Sequence, residues 1–192
     1  MMVIEVEVRS FIDEEEFNKL LEFFRKNAKF LKDDFQVTVY FSGDKDLRVQ
    51  KNRFFSKLWL KKGKIHDDVR EEIEVEFKRE EFGKLLEILN ELGFKVKIVW
   101  LRKRKEFQWN GIKVYLDDTE GYGKIIEIET YVEKENETEK KRDELISKLR
   151  SLGIKISERN EFEKKFEWYK RNWKRLLRKR IVEVEPVLAS FI

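Results

Sequence analysis

Three short segments of the chain alternate glutamate with apolar residues, and carboxylates at that spacing can bind a cation. They lie at residues 3–9, 72–77 and 126–130. Their carboxylates are Glu5, Glu7, Glu72, Glu74, Glu76, Glu127 and Glu129. In an extended strand, side chains two residues apart share a face and lie only about 6 to 7 Å from each other. Two anions that close repel each other, so each pair predicts a nearby cation.

Each glutamate segment is followed by a charged connector and an amphipathic helical pattern, which makes a degenerate internal repeat. Asp13 is a candidate N-cap for the first helix. Gly93 and Gly153 follow the second and third helical patterns, where glycine can adopt the left-handed conformation that ends a helix. The repeat therefore predicts three strand-helix units.

Further strands are predicted at residues 36–41, 46–51, 57–62, 96–107 and 112–117, where β-branched and aromatic residues or alternation dominate. Asn110-Gly111 is the strongest hairpin signal in the chain and connects the last two of these strands. Strands that follow one another through short loops pair antiparallel. The sequence thus predicts an α+β fold built on an antiparallel sheet.

The composition excludes several kinds of site. The 192 residues include no cysteine and one histidine, His66, which excludes disulfides, thiolate metal sites and cysteine nucleophiles and disfavours a serine-histidine-aspartate triad. Any metal must then be held by oxygen, which favours Mg²⁺, Mn²⁺ or Ca²⁺. Charged residues make up 43% of the chain, against about 25% in an average protein, and this balance is typical of thermophilic proteins. No apolar run reaches about 18 residues and no signal-peptide pattern is present, so we expect one cytoplasmic domain over residues 1–192.

The last predicted helix, at about residues 160–181, concentrates the positive charge of the chain. Between Glu161 and Arg180 there are nine basic and three acidic residues, a local charge of +6, whereas the whole chain carries +4. Basic amphipathic helices can bind membranes or nucleic acids. We favour a helix docked on the domain with a solvated basic face, and we expect neither a membrane nor a nucleic-acid partner.

Cations alternate along the same predicted strand faces as the carboxylates. They are Arg9, Arg48, Lys61 or Lys62, Arg102 and Arg104, and Asp117 is a further carboxylate. One interpretation is a sheet that shows mixed charge to water. The other is a sheet curled into a barrel, with its charged side inward and the helices on its apolar side. Enclosed charges of both signs would require a ligand that carries both, such as a polyphosphate with a divalent metal.

The order of these motifs resembles the CYTH superfamily, the triphosphate tunnel metalloenzymes, which include class IV adenylyl cyclases, thiamine triphosphatases and inorganic tripolyphosphatases. Glu5-x-Glu7-x-Arg9 resembles the family's opening motif, Glu-x-Glu-x-Lys. The other matching segments are residues 47–50, 58–63, 70–76, 102–104, 116–117 and 123–129. The resemblance covers most of the chain and implies an eight-stranded antiparallel β-barrel, the triphosphate tunnel, with amphipathic helices packed outside.

The resemblance also implies roles for individual residues. The expected ligands of Mg²⁺ or Mn²⁺ are Glu5, Glu7, Glu127 and Glu129. The expected phosphate-binding residues are Arg9, Arg48, Lys61, Lys62, Arg102 and Arg104. The expected catalytic residues are Glu5, Glu7, Arg9 and Asp117, with Glu72, Glu74 and Glu76 as further tunnel carboxylates. Arg9 departs from the family's lysine and cannot release a proton at working pH, and Gln50 replaces an arginine that would contact phosphate.

Three functions follow from this resemblance. We favour metal-dependent hydrolysis of a triphosphate, inorganic or organic, and place second an adenylyl cyclase that converts ATP to cyclic AMP and pyrophosphate. The third is a module that only binds polyphosphate or nucleotide, which Arg9 favours and the complete set of carboxylates opposes. Trp168 and Trp173 could pack within the chain or in a homodimer.

Overall fold

The computed structural model describes residues 4–61 and 72–191, and these form an eight-stranded antiparallel sheet with four α-helices. The strands are β1 (Ile4–Ile12), β2 (Lys29–Phe41), β3 (Asp46–Lys51), β4 (Ser56–Lys61), β5 (Glu72–Phe77), β6 (Val96–Trp109), β7 (Ile112–Thr119) and β8 (Gly123–Val132). Their order in the sheet is β1-β8-β7-β6-β2-β3-β4-β5. The predicted α+β fold with eight antiparallel strands is confirmed.

The sheet curls round so that its two edge strands face the same interior. Side chains from all eight strands line one cavity, among them Glu5 of β1 and Glu72 of β5. Within the described residues, no backbone hydrogen-bonded pairing joins β1 to β5. The tunnel is therefore closed by hydrogen bonds at every strand boundary except this one.

The hairpin between β6 and β7 fixes the alignment of two strands that carry charges into the interior. Asn110 and Gly111 have φ angles of 48° and 79°, both in the left-handed region that a two-residue hairpin turn requires. The turn aligns Trp109 with Ile112 and, five positions further along, Arg104 with Asp117. The predicted hairpin is present, and it sets the charged pair opposite each other.

Strand β2 begins seven residues earlier than its sequence pattern predicts. Residues 29–35 show no clear alternation, but β2 pairs with β6 from Lys29 to Phe41, with irregular register between Phe30 and Lys32. The 14-residue β6 supplies backbone partners along this whole length. Pairing with a long neighbour thus outweighs the weak local preference of the segment.

The helices are α1 (Glu14–Asn27), α2 (Phe82–Glu91), α3 (Thr138–Ser151) and α4 (Arg159–Val184), with 3-10 turns at Arg79–Glu81, Glu135–Glu137 and Pro186–Phe191. Asp13 caps α1 as predicted. The Glu16 amide donates to the Asp13 carboxylate at 2.8 Å, and the Asp13 amide donates to the Glu16 carboxylate at 2.8 Å. This reciprocal arrangement satisfies two backbone donors at the start of the helix.

The apolar face of the sheet lies outside, and helices cover most of it, although Ile73 and Val75 of β5 are exposed. Val8 of β1 and Leu116 of β7 belong to one buried cluster with Phe24 of α1 and Leu149 of α3. A second cluster joins β2, β3 and β6 to α2 and α4. Because the apolar side chains of each strand take the outer face, the alternating charged ones face the interior. Of the two interpretations of the charged faces, the inward one is correct.

Helix α4 packs across one end of the tunnel. The Tyr169 hydroxyl donates to the Val99 carbonyl at 2.8 Å, and the Trp173 indole donates to the Lys97 carbonyl at 3.0 Å. Phe162 stacks on Phe11 at the end of β1, with ring centroids 4.4 Å apart. The apolar stripe is buried, and most of the basic residues face solvent. Among the described residues, no helix is both long and apolar enough to span a membrane.

We expect Tyr169→Phe to lower the free energy of unfolding by about 1 to 2 kcal/mol, because it leaves the Val99 carbonyl without its hydroxyl donor. Urea denaturation followed by tryptophan fluorescence measures this change. The matched control is Trp168→Phe, one residue earlier and 40% exposed, which should change stability by less than about 0.5 kcal/mol. Equal stability of the Tyr169 variant and the wild type would show that this hydrogen bond does not help to dock α4.

Candidate functional site

The charged interior of the tunnel forms a cavity of about 410 Å³. Twelve of the predicted site residues line it: Glu5, Glu7, Arg9, Arg48, Lys61, Glu72, Glu74, Arg102, Arg104, Asp117, Glu127 and Glu129. Glu76 is exposed near the end of β5 and is not part of the lining. Lys62 lies outside the described residues. The alternation in the sequence therefore brings nearly the whole predicted set into one enclosed space.

The character of the lining changes along the tunnel. At the end covered by α4, the inner face carries Tyr40, Trp100, Tyr122 and Ile125. Further along the tunnel it carries Arg9, Arg102 and Glu127. The opposite end carries Glu5, Lys32, Lys113 and Tyr131, and Tyr131 is 48% exposed. The tunnel thus runs from an aromatic end covered by α4, through a ring rich in arginine, to an end with carboxylates and lysines that is open among residues 4–61 and 72–191.

Two arginines of β6 share a single aspartate of β7. Arg104 binds Asp117 with two hydrogen bonds of 2.8 and 2.7 Å and also donates to Glu127 at 3.0 Å. Arg102 donates to Asp117 at 3.2 Å and to the Gln36 side chain at 2.9 and 2.6 Å. Asp117 is only 2% exposed. Its position makes it the group that orients both guanidinium groups.

These contacts shift the ionisation of the groups involved. Burial opposes the charge of Glu127, but Arg104 and Arg102 outweigh it, and the pKa of Glu127 is lowered. Burial and the neighbouring Arg104 lower the pKa of Arg102, whereas Asp117 and Glu127 raise that of Arg104 in spite of its burial. The Glu127 carboxylate is therefore held as an anion by the arginines.

Two further cations project into the cavity from β3 and β4. Arg48 donates to Asp46 at 2.8 and 2.6 Å, and its guanidinium lies 4.3 Å from the centroid of the Tyr40 ring. Lys61 forms an ion pair with Glu72. The sequence predicted that either Lys61 or Lys62 faces the tunnel, and Lys61 does so.

The neighbouring carboxylates Glu5 and Glu7 are the least well neutralised pair in the described interior. Burial, then the charges of Glu7 and Glu129, raise the pKa of Glu5 to about 8. Burial and the charge of Glu127 raise the pKa of Glu7, and a hydrogen bond with the Glu5 carboxyl group offsets part of this rise. Arg9 lies 3.7 Å from Glu7 and offsets part of this repulsion. Without an added cation, the pair retains a proton near neutral pH.

These residues suit a hard divalent cation. Glu5 and Glu7 offer adjacent oxygen donors that are under-neutralised, which is the chemistry that Mg²⁺ or Mn²⁺ requires. The Tyr115 and Tyr131 hydroxyls donate to one oxygen of Glu129 at 2.7 and 2.9 Å, which orients that carboxylate. Across residues 4–61 and 72–191, however, no three acidic side chains already form a complete metal site. To coordinate a metal ion, these side chains would therefore have to rotate, or a bound phosphate would have to supply further oxygens.

Several residues that line the cavity were not predicted from the sequence. Tyr115, Tyr131 and Gln36 orient charged groups, but isolated tyrosines and glutamines in strands carry no recognisable motif. Gln50, which departs from the family pattern, donates to the Thr38 hydroxyl at 3.0 Å and is 4% exposed. The only sign of these residues in the sequence is their position, an even number of residues from a charged residue that faces the interior.

The raised pKa of Glu5 predicts a pH-dependent loss of stability in metal-free protein. The folded protein keeps this proton up to about pH 8, whereas the unfolded chain loses it near 4.5, the ordinary pKa of glutamate. Stability should therefore fall as the pH rises from about 5 to 8, by at most about 1.4 kcal/mol per pH unit for this group.

Thermal unfolding in EDTA at pH 5, 6, 7 and 8 tests this expectation. Glu5→Gln should flatten the profile and be more stable than the wild type at pH 8. Glu133→Gln, at an exposed position just beyond β8, should keep the wild-type profile. A wild-type profile that rises over this range would contradict the assignment.

Comparison with known proteins agrees with this geometry. A protein of Methanocaldococcus jannaschii, named as a candidate adenylate cyclase, is 34% identical over 165 residues, which cover 79% of this chain and 91% of that protein. The structure of the PH1819 protein from Pyrococcus horikoshii is 32% identical, with a TM-score of 0.70, over 81% of this chain and 93% of that one.

A more distant structure shares the fold. HpAC1 from Hippeastrum, described as a candidate adenylyl cyclase with a dominant triphosphatase activity, is 22% identical with a TM-score of 0.57, over 80% of this chain and 89% of that one. The sequence model of the CYTH domain matches residues 3–166, which include every strand of the tunnel. The chain belongs to the CYTH domain family.

Proposed function

We propose that the protein hydrolyses a triphosphate, with the help of a divalent metal ion, inside the charged tunnel. The observation that carries this proposal is the lining of the cavity, where arginines and a lysine face carboxylates that are not fully neutralised. A simple anion site would not need so many carboxylates, and a simple cation site would not need the arginines. A metal-bound triphosphate complements both sets.

The arginines and Lys61 would bind the phosphate oxygens. Arg102 and Arg104 are already oriented by Asp117, and Arg48 by Asp46. A guanidinium group held in place by one carboxylate can still present free N–H groups to a phosphate. Such pre-oriented cations stabilise the charge that develops on the transferred phosphoryl group without a large rearrangement.

The carboxylates toward the open end would hold the metal. Glu5 and Glu7 are the proposed ligands, with Glu129 oriented beside them by its two tyrosines. When bound, Mg²⁺ or Mn²⁺ would supply positive charge to the phosphate oxygens and lower the barrier to attack by water. Glu127 would serve mainly to hold Arg104, since it is already engaged with that side chain. Water attack at the terminal phosphorus would then release orthophosphate.

The second candidate is an adenylyl cyclase reaction, and the name of the relative from Methanocaldococcus jannaschii favours it. The same charged interior would serve that reaction, with a ribose hydroxyl in place of water as the nucleophile. The two functions differ in whether a nucleoside is bound and which phosphorus is attacked. A binding module without turnover is the third possibility, and its support remains the arginine at position 9.

One incubation series separates the three functions. The protein is incubated with tripolyphosphate or ATP, with Mg²⁺, Mn²⁺ or EDTA, and orthophosphate, pyrophosphate and cyclic AMP are measured. We expect metal-dependent release of orthophosphate. Cyclic AMP with pyrophosphate from ATP would transfer the assignment to the cyclase. No product from either substrate, with tripolyphosphate still raising the melting temperature, would leave only the binding module.

The double substitution Glu5→Gln and Glu7→Gln tests the proposed metal site. We expect kcat/KM to fall at least about 100-fold, because changing even the partners that orient a metal ligand typically costs about 10- to 100-fold, and here two proposed ligands are changed. The stabilisation by Mg²⁺ in thermal unfolding should disappear as well, while the metal-free variant should be at least as stable as the wild type. Glu133→Gln is the matched control and should retain wild-type turnover. Metal-dependent turnover in the double variant would disprove this site.

A further inference from the structure

A side chain from the C-terminal helix reaches the arginine that departs from the family motif. The guanidinium carbon of Arg9 lies 4.9 Å from the centroid of the Phe162 ring. Both side chains line the cavity, and Phe162 is only 4% exposed. At this distance and in a desolvated setting, a guanidinium over an aromatic face is attracted to it.

We propose that Phe162 is a positioning residue for Arg9, so that helix α4 provides part of the phosphate-binding site. The inference rests on the proposed function, because it assumes that Arg9 contacts a triphosphate. Phe162 itself would not touch the ligand. It would hold the guanidinium plane in the orientation from which its N–H groups meet phosphate oxygens.

The Phe162 ring is itself fixed in place, as a positioning role requires. It stacks on Phe11 with an interplanar angle of 23° and a centroid separation of 4.4 Å. The helix that carries it is anchored by the hydrogen bonds of Tyr169 and Trp173 to the β6 backbone. A guanidinium resting on a fixed ring loses less freedom when it binds a ligand, so binding costs less.

The same arrangement recurs at two other cations of the tunnel. Arg48 lies 4.3 Å from the Tyr40 ring centroid, and Arg104 lies 4.1 Å from that of Tyr115. In those two cases the ring belongs to the sheet, and at position 9 it comes from α4. The recurrence indicates that aromatic support for guanidinium groups is a general feature of this interior.

The pairing also accounts for arginine in place of lysine at position 9. A guanidinium is planar and can lie flat on a ring while it directs several N–H groups sideways. An ammonium group is a compact point charge without such a plane, so a ring fixes its direction less well. An aromatic ring on α4 is therefore better suited to an arginine at position 9 than to the lysine of the family motif.

The test is a double-mutant cycle on the binding of tripolyphosphate, measured by calorimetry with Mg²⁺ on the full chain. Phe162→Leu removes the ring but keeps an apolar side chain. We expect it to raise the Kd about 3- to 30-fold, the range that corresponds to a partly or fully desolvated cation–π contact. In an Arg9→Gln background, the same substitution should change the Kd less than 2-fold, because no guanidinium remains to be positioned. Phe162→Tyr keeps the ring and should keep the wild-type Kd.

Leu177→Ala is the control for packing. Leu177 also lies on the buried face of α4 and is 2% exposed, but it does not line the cavity. It should lower the melting temperature about as much as Phe162→Leu does, but leave the Kd unchanged. If Phe162→Leu does not fold, Phe162→Met offers a similar volume without the ring.

The outcomes separate this inference from the proposed function. If the wild type binds tripolyphosphate but Phe162→Leu binds equally well, the positioning role is wrong and the proposed function stands. If the effect of Phe162→Leu on the Kd persists in the Arg9→Gln background, or equals that of Leu177→Ala, Phe162 acts only through packing and the inference is again wrong. If the wild type binds neither tripolyphosphate nor ATP with Mg²⁺, both the proposed function and this inference are overturned.

Discussion

The structure depends on the enclosure of charges of both signs in a space with little access to water. A carboxylate or guanidinium removed from water is stable only when an opposite charge or several hydrogen bonds replace its hydration. Asp117, shared between Arg102 and Arg104, meets this condition within the chain. Glu5 and Glu7 do not, since burial and neighbouring carboxylates raise the pKa of both. The interior is thus neutralised at its arginine ring and left short of positive charge toward its open end.

The outer helices make this enclosure possible. A lone curled sheet would expose its apolar face to water, but α1 and α3 bury that face over β1, β7 and β8, and α2 and α4 bury it over β2, β3 and β6. The hydrophobic free energy of these two clusters favours the curled sheet and offsets the cost of bringing charges together. The strained electrostatics of the site are therefore stabilised by packing on the opposite side of the same strands.

Helix α4 adds a direction to the tunnel. It covers the end that carries Trp100 and Tyr122, whereas Tyr131 at the opposite end is 48% exposed in the part of the chain that the structure describes. The family match ends at residue 166, and the anchoring residues Tyr169 and Trp173 lie beyond it. Phe162 and Phe166, the residues of α4 that line the tunnel, lie within the match, so only the anchoring part of α4 extends past it.

Periodicity alone was enough to predict the eight strands, the helices and the glutamates that share one face of each strand, because alternation and helical spacing reflect local backbone geometry and the burial of apolar side chains. It left open whether that charged face points to water or to an interior. The first half of β2 could not be predicted, since its conformation comes from pairing with β6. The partner of each charged side chain could not be predicted from the sequence either. Whether Glu127 meets a metal or Arg104, and whether Phe162 reaches Arg9, depends on register and docking between segments distant in the chain. Those contacts exist only once the sheet has curled and α4 has packed across its end.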